Sequence, residues 1–164
     1  HSGVLDGTAY EYQDLDLPSI PVPQFDYDSW EAMALVDGTY YSTPAQFLNY
    51  LALNGYTVSS GVHFIDSTSN LTIPAGVGNV NITGSIISRG SIEIRADNYT
   101  QVLDPAHDDV PALVSNSDVI VTDSSNCNCK VNITGAIFGG REGIRKRGRE
   151  EGEGGEREID GVIW

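Results

Sequence analysis

The sequence predicts a mainly β protein: a short right-handed parallel β-helix, or solenoid, with an N-terminal extended arm and one or two capping helices. Three observations lead there. The stretch Ile82-Thr-Gly-Ser-Ile-Ile87 returns as Ile133-Thr-Gly-Ala-Ile-Phe138 and again as Ile159-Asp-Gly-Val-Ile-Trp164; the first two copies start 51 residues apart and the last two 26. Self-similarity at a regular period marks stacked repeats, each too small to bury its apolar face alone. Second, alternate positions are apolar and β-branched. Val80, Ile82 and Ile86, then Val131, Ile133 and Ile137, read as strand with one face buried, and the recurring Gly reads as a bend or close approach inside it. Third, Arg89-Gly-Ser-Ile-Glu-Ile-Arg95 and Arg141-Glu-Gly-Ile-Arg-Lys-Arg147 follow the first two copies as a turn and a second short run, and Asp118-Val-Ile-Val121 supplies the matching run of an intervening coil. The expected coil is roughly 25 residues, with two or three short strands.

The elements follow in order. Residues 1–27 form an acidic arm with Pro18, Pro21 and Pro23, suited to an extended path. Ile20, Val22 and Phe25 give it apolar surface to dock on its own solenoid or on a neighbouring subunit, and Trp164 is a further candidate for subunit contact. A flexible linker to a lost anchor is the other reading. Residues 28–55 hold the capping helices. In the first, over Asp28–Val36, Asp28 is the expected N-cap, with Glu31 three residues on and Asp37-Gly38 as the stop. In the second, Thr43 caps, Pro44 takes the first turn, Gln46 completes a capping box and Asn54-Gly55 ends it. Its stripe of Phe47, Leu48 and Leu51, with Trp30 nearby, is expected to cover the N-terminal end of the solenoid. Residues 56–164 form the β-helix, with strands at Tyr56–Val58, Val62–Ile65 and Asn70–Ile73 before the first template copy. Loops are expected at 99–115 and at 141–158, the second a Gly-rich run of mixed charge. Trp164 is expected to stack on Phe138.

The charge is −14, and six of the nine basic residues lie between Arg141 and Arg157; residues 1–140 hold sixteen acids against Arg89, Arg95 and Lys130. Such a field repels nucleic acid and anionic membrane. No apolar run is long enough to span a bilayer. Abundant Ser, Thr, Asn and Gly with scarce Lys suit an extracellular or cell-surface protein, and the chain opening at His1 reads as processed or truncated. Cys127 and Cys129 are too close for an unstrained bridge and make an incomplete metal site unless another chain contributes, so two free thiols, a strained local disulfide and an interchain pair stay open.

Few residues suggest chemistry. Asp104, Asp108 and Asp109, with His107, offer oxygen ligands for calcium, without the EF-hand spacing; a solvated acidic loop is the alternative, and no other cofactor is implied. His1 would need its amine and a second histidine to hold copper, and His63, beside Phe64 in a strand, reads as structural. A glycosidase needs paired carboxylates, whereas Glu93 and Asp160 stand apart. A lyase needs basic residues, and the coils offer only Arg89, Arg95 and Lys130. The chain is therefore read as not an enzyme. Four Asn-x-Thr triplets start at Asn70, Asn81, Asn98 and Asn132. Asn70 and Asn98 are the glycosylation candidates, Asn98 because it falls in a loop, while Asn81 and Asn132 are explained by the strand pattern.

Val-Asn-Ile-Thr-Gly-Ser-Ile-Ile, Gly-Ser-Ile-Glu-Ile, Pro111-Ala-Leu-Val114 and Val-Asn-Ile-Thr-Gly-Ala-Ile-Phe together resemble the short β-helical domain of PilX-type proteins of type IV pilus assembly and related prokaryotic surface proteins. The resemblance covers about residues 56–164. It implies a non-catalytic structural protein of the prokaryotic cell surface, pilus-associated or filament-forming, self-associating through its arm and solenoid ends. An adhesin for glycans and a polysaccharide-active β-helix enzyme are the alternatives.

Overall fold

A computed structural model describes residues 25–122 and 130–140 in full and residues 144–147 by their backbone. Helix α1 (Tyr27–Asp37), strand β1 (Tyr40–Tyr41) and helix α2 (Pro44–Leu53) come first. Four triplets of strands follow. They are β2 (Thr57–Val58), β3 (Val62–Ile65) and β4 (Leu71–Ile73); β5 (Asn79–Thr83), β6 (Ser85–Ser88) and β7 (Ile92–Ile94); β8 (Asn98–Val102), β9 (Leu113–Ser115) and β10 (Val119–Thr122); and β11 (Lys130–Ile133), β12 (Ile137–Gly139) and β13 (Ile144–Arg147). The fold is mainly β, and every pairing among the described residues is parallel. Three sheets result, ordered β1-β3-β6-β9-β12, β2-β5-β8-β11 and β4-β7-β10-β13. The chain visits them in rotation, one strand per sheet in each triplet.

Along the five-stranded sheet Val62 pairs with Ser85, Ile86 with Leu113 and Leu113 with Ile137, offsets of 23, 27 and 24 residues. On the β2 sheet the offsets are 24, 19 and 32, from Thr57 to Asn81, Asn79 to Asn98 and Asn98 to Lys130. The two described copies of the Ile-x-Gly template are thus two layers apart, because Ile82 pairs with Gln101 and Gln101 with Ile133. The template is also not one strand. Its first Ile lies near the end of one sheet's strand and its second in the next sheet's, with Gly84 and Gly135 at the corner at φ +122° and +128°. A Cβ on Gly84 would collide with the carbonyl oxygen of Gly61, and one on Gly135 would press on Leu103 and Ala112. Glycine is required there for both its φ and its bareness.

One apolar cluster draws on all three sheets: Val58, Val80, Ile82, Tyr99 and Ile133 from the first strands, Ile65, Ile86, Leu113 and Ile137 from the second, and Leu71, Ile73, Ile92, Ile94 and Val119 from the third. Phe47 and Leu51 of α2 join it, with Leu48 packed alongside. The cap of α2 is as expected at Thr43, whose hydroxyl accepts from Gln46 N at 3.4 Å. The return bond is displaced by one residue, since Gln46 Oε1 accepts from Ser42 N at 2.9 Å.

Several expectations need correction. The cap of α1 is Asp26, which accepts from Ser29 N at 3.1 Å, and Asp28 lies in the first turn, where a carboxylate suits the helix dipole. Trp30 is not beside α2. It belongs with α1, Phe25, Tyr27, Met33 and Ala34 in a second cluster on the outer face of the five-stranded sheet. The 99–115 loop is shorter than expected because Tyr99 and Gln101 point inward, so Asn98–Val102 is strand β8 and Leu113–Ser115 is strand β9. Asn98 therefore begins a strand. Within the charged 141–158 run, Ile144–Arg147 pairs in parallel with Val119–Thr122. The third template copy, the stacking of Trp164, and Ile20, Val22, His1, Cys127, Cys129 and Asp160 lie outside the described residues.

Candidate functional site

The three sheets present very different outer faces. On the five-stranded sheet the outward column Tyr40, Phe64, Ile87, Val114 and Phe138 runs strand to strand. Helix α1 covers it. Arg89 fastens the helix down: its Nη2 lies 3.0 Å from Glu31 Oε2 on α1 and its Nε 2.6 Å from Asp66 Oδ1. The guanidinium also lies over the rings of Tyr27 and Phe64, 5.6 and 5.3 Å from their centroids. Tyr40 Oη donates to Asp66 Oδ2 at 2.7 Å. That bond first, and Arg89 with it, holds the Asp66 carboxyl below its ordinary range. Phe25, expected as a subunit contact, packs 5.1 Å from Phe138 of its own chain.

On the β4 sheet Glu93 is ringed by donors. Burial alone would raise its pKa, but Arg95 at 2.8 Å, Thr122 at 2.7 Å and Thr72 at 3.4 Å bring it below the usual value. Arg89 and Arg95, two of the three basic residues the coils offer, are thus engaged in ion pairs within the chain.

Asp104 is equally committed. Its oxygens accept from Ala106 N and from Gly61 N, each at 2.9 Å, and His107 Nδ1 lies 3.4 Å away. These partners, Ala106 first, hold its carboxyl below the ordinary range against the opposing effect of burial. The bond to Gly61 ties the 103–112 loop to the corner between β2 and β3. Asp108 and Asp109 are exposed. Among the described residues no three His, Cys, Asp or Glu side chains come together as a metal-holding group, so the structure does not gather the aspartates expected to take calcium.

His63 is fully buried. Nδ1 faces Tyr41 Oη at 3.1 Å and Nε2 faces the Ser60 carbonyl at 3.2 Å, a pair of contacts satisfied by the neutral ring protonated on Nε2. Burial pulls its pKa down to about 4, against the smaller opposing effect of Ser60.

Two polar devices escaped the sequence reading. Gln101 takes the inward position filled by Ile in the layers on either side. Its Nε2 donates to Gly84 O at 2.8 Å and Ala112 O at 2.7 Å, while its Oε1 accepts from Tyr99 Oη at 2.7 Å. The second is a serine turn repeated at one corner. The hydroxyls of Ser67, Ser88 and Ser115 accept from the backbone N–H two residues on, at 3.2, 3.1 and 3.0 Å. Each serine precedes by four residues one of the stacked aliphatics Leu71, Ile92 and Val119. The pattern Ser-x-Ser/Gly-x-aliphatic was the available signal.

What remains open to solvent is the outer face of the β2 sheet. Thr57, Asn81, Thr100 and Asn132 form one strand-to-strand column, and Asn79, Asn98 and Lys130 a second; all seven are exposed. These two columns hold amides, hydroxyls and one ammonium and no carboxylate, and Val102 at the end of β8 adds one exposed apolar side chain to the face. Parallel strands set the columns' steps at about 4.8 Å across the sheet, with about 6.7 Å between alternate residues along a strand. No protein-family model, curated protein or solved structure matches the chain.

Proposed function

We propose that the chain is a non-catalytic structural protein of the prokaryotic cell surface, built as a short right-handed parallel β-helix and assembling through its arm and the ends of its solenoid. The rotation of the chain through three parallel sheets around one shared core supports the β-helix. The observation that carries the assembly reading is the inequality of the two ends. At the first, Phe47 and Leu51 of α2 enter the core and β1 extends the five-stranded sheet. At the other, β11, β12 and β13 are edge strands, as β1, β2 and β4 are at the first, but no helix among the described residues joins the core there. Unpaired parallel edges are templates for a further strand. The PilX-type resemblance supplies the cell-surface and pilus setting.

Electron microscopy and sedimentation of the full chain, with and without residues 1–27, test this. Filaments or oligomers that disappear with the arm support it; a monomer at every concentration in both forms sinks it. The second reading, a glycan-binding surface module, is favoured by the exposed Thr and Asn columns. Retention on a glycan array by a strictly monomeric chain would select it.

A further inference from the structure

The exposed β2 sheet carries more than a polar composition. Four of the ten asparagines start an Asn-x-Thr triplet, although ten threonines scattered over 164 positions would leave fewer than one. Strand alternation explains why positions two apart share a face. It does not explain why the first is Asn and the second Thr. The inward partners Val80 and Ile82, and Val131 and Ile133, are what the core requires; the outward positions are free of that demand. The structure therefore removes the reason for setting Asn81 and Asn132 aside. All four triplet asparagines are exposed, and three of them, Asn81, Asn98 and Asn132, lie on one face of adjacent strands. Asn70 stands apart, just before β4.

We propose that Asn81, Asn98 and Asn132 are N-glycosylated, so that this sheet face is coated by sugar and contact between subunits is left to the ends and the arm. The proposal rests on the surface-protein reading above. The donor class is an oligosaccharide linked to a lipid through pyrophosphate, presented by a membrane-bound transferase. The Asn amide nitrogen attacks the anomeric carbon. The C–N bond forms, the bond from that carbon to the pyrophosphate oxygen breaks, the lipid pyrophosphate leaves with the electron pair, and the amide proton passes to a base of the transferase. Transfer precedes folding, because in β5, β8 and β11 the backbone of each triplet is held in the sheet. Folding afterwards buries no sugar, since the three side chains point to solvent. Thr100 lies between Asn81 and Asn132 in the column and leaves room for the attached chains.

The test is glycopeptide mass spectrometry on the protein isolated from its source, with surface and interior fractions analysed separately. The expected result is sugar on Asn81, Asn98 and Asn132 in the surface fraction, lost together in the N81Q/N98Q/N132Q variant with its melting temperature unchanged. Unmodified peptides at all three sites in protein recovered from the surface overturn the proposal and leave the surface reading standing. Unmodified protein confined to the interior overturns both. Sugar on Asn70 alone also overturns it, because a corner site does not coat the face.

Discussion

The five-stranded sheet and the β2 sheet are built from the same parallel strands in the same layers, yet one is buried on both faces and the other on one. In β3, β6 and β9 every residue is buried, whereas β5, β8 and β11 alternate exposed and buried. The difference lies in adjacent pairs. Phe64-Ile65, Ile86-Ile87, Leu113-Val114 and Ile137-Phe138 are doubly apolar, so one residue of each faces α1 or its neighbours and the other faces the core. Val80-Asn81, Tyr99-Thr100 and Val131-Asn132 pair an apolar residue with a polar one. Parallel strands do not by themselves demand cover on both sides; the second apolar residue does. One sheet is therefore a mounting for a helix and the other a face presented outward.

The sharpest way to break that contrast is Phe64→Ala. The ring lies under α1, against Tyr27, Tyr40 and Arg89. Its loss is expected to cost about 3–5 kcal/mol in a denaturant melt. A cost below ~1 kcal/mol would mean that the outer cluster adds little to stability.

Acid sharpens the contrast next. His63 points inward from the five-stranded sheet, among the rings of Tyr41, Phe47 and Tyr50. Its folded pKa, about 4, lies below the ordinary 6.5, so the unfolded chain binds the proton more readily. Stability from this group is complete above pH 6.5 and drains away as pH falls toward 4, on the order of 3 kcal/mol in all. Thermal melts over that window should show the slope in the native chain and a much flatter line in His63→Gln. Asp66, Glu93 and Asp104, whose pKa values are depressed, lose their contributions at lower pH still.

Gln101→Leu probes the inside of the β2 sheet. It leaves Tyr99 Oη and two carbonyls without their partner, for an expected loss of about 1–3 kcal/mol by equilibrium unfolding. A neutral or stabilising result would show that the core relaxes around an Ile-like side chain, as it does at Ile82 and Ile133. The smallest effect belongs to the outer face of the same strands: Asn81→Ala should move stability by no more than about 0.5 kcal/mol. A larger loss would mean that the polar columns hold the sheet together as well as facing outward.

Much of this was legible in the sequence. The two-layer separation of Ile82 and Ile133, the strand at Asp118–Val121 and the cap of α2 follow from spacing and side-chain chemistry alone. The middle layer was not legible, because Gln101 stands where the template has Ile and Leu103 where it has Gly. Period-two reasoning has no reason to place a buried glutamine until its three hydrogen bonds are seen. Nor could it show that α1 and α2 serve different faces, because that depends on Arg89 reaching Glu31, which is 58 residues away in the chain. The same applies to Asp104, whose acidic surroundings suggested a cation and whose partners are backbone N–H groups.

The spacing of the strand pairings governs the order of folding. Paired strands here join residues 19 to 32 positions apart, and no sheet pairing among the described residues reaches further. Each closure is a short loop of similar size, and even a doubling of loop length adds only about 0.6 kcal/mol to its entropic cost. A triplet formed anywhere presents the next with a finished template. The molecule should therefore fold as a zipper that can start at any layer and run both ways, with stability rising by nearly equal steps as layers are added.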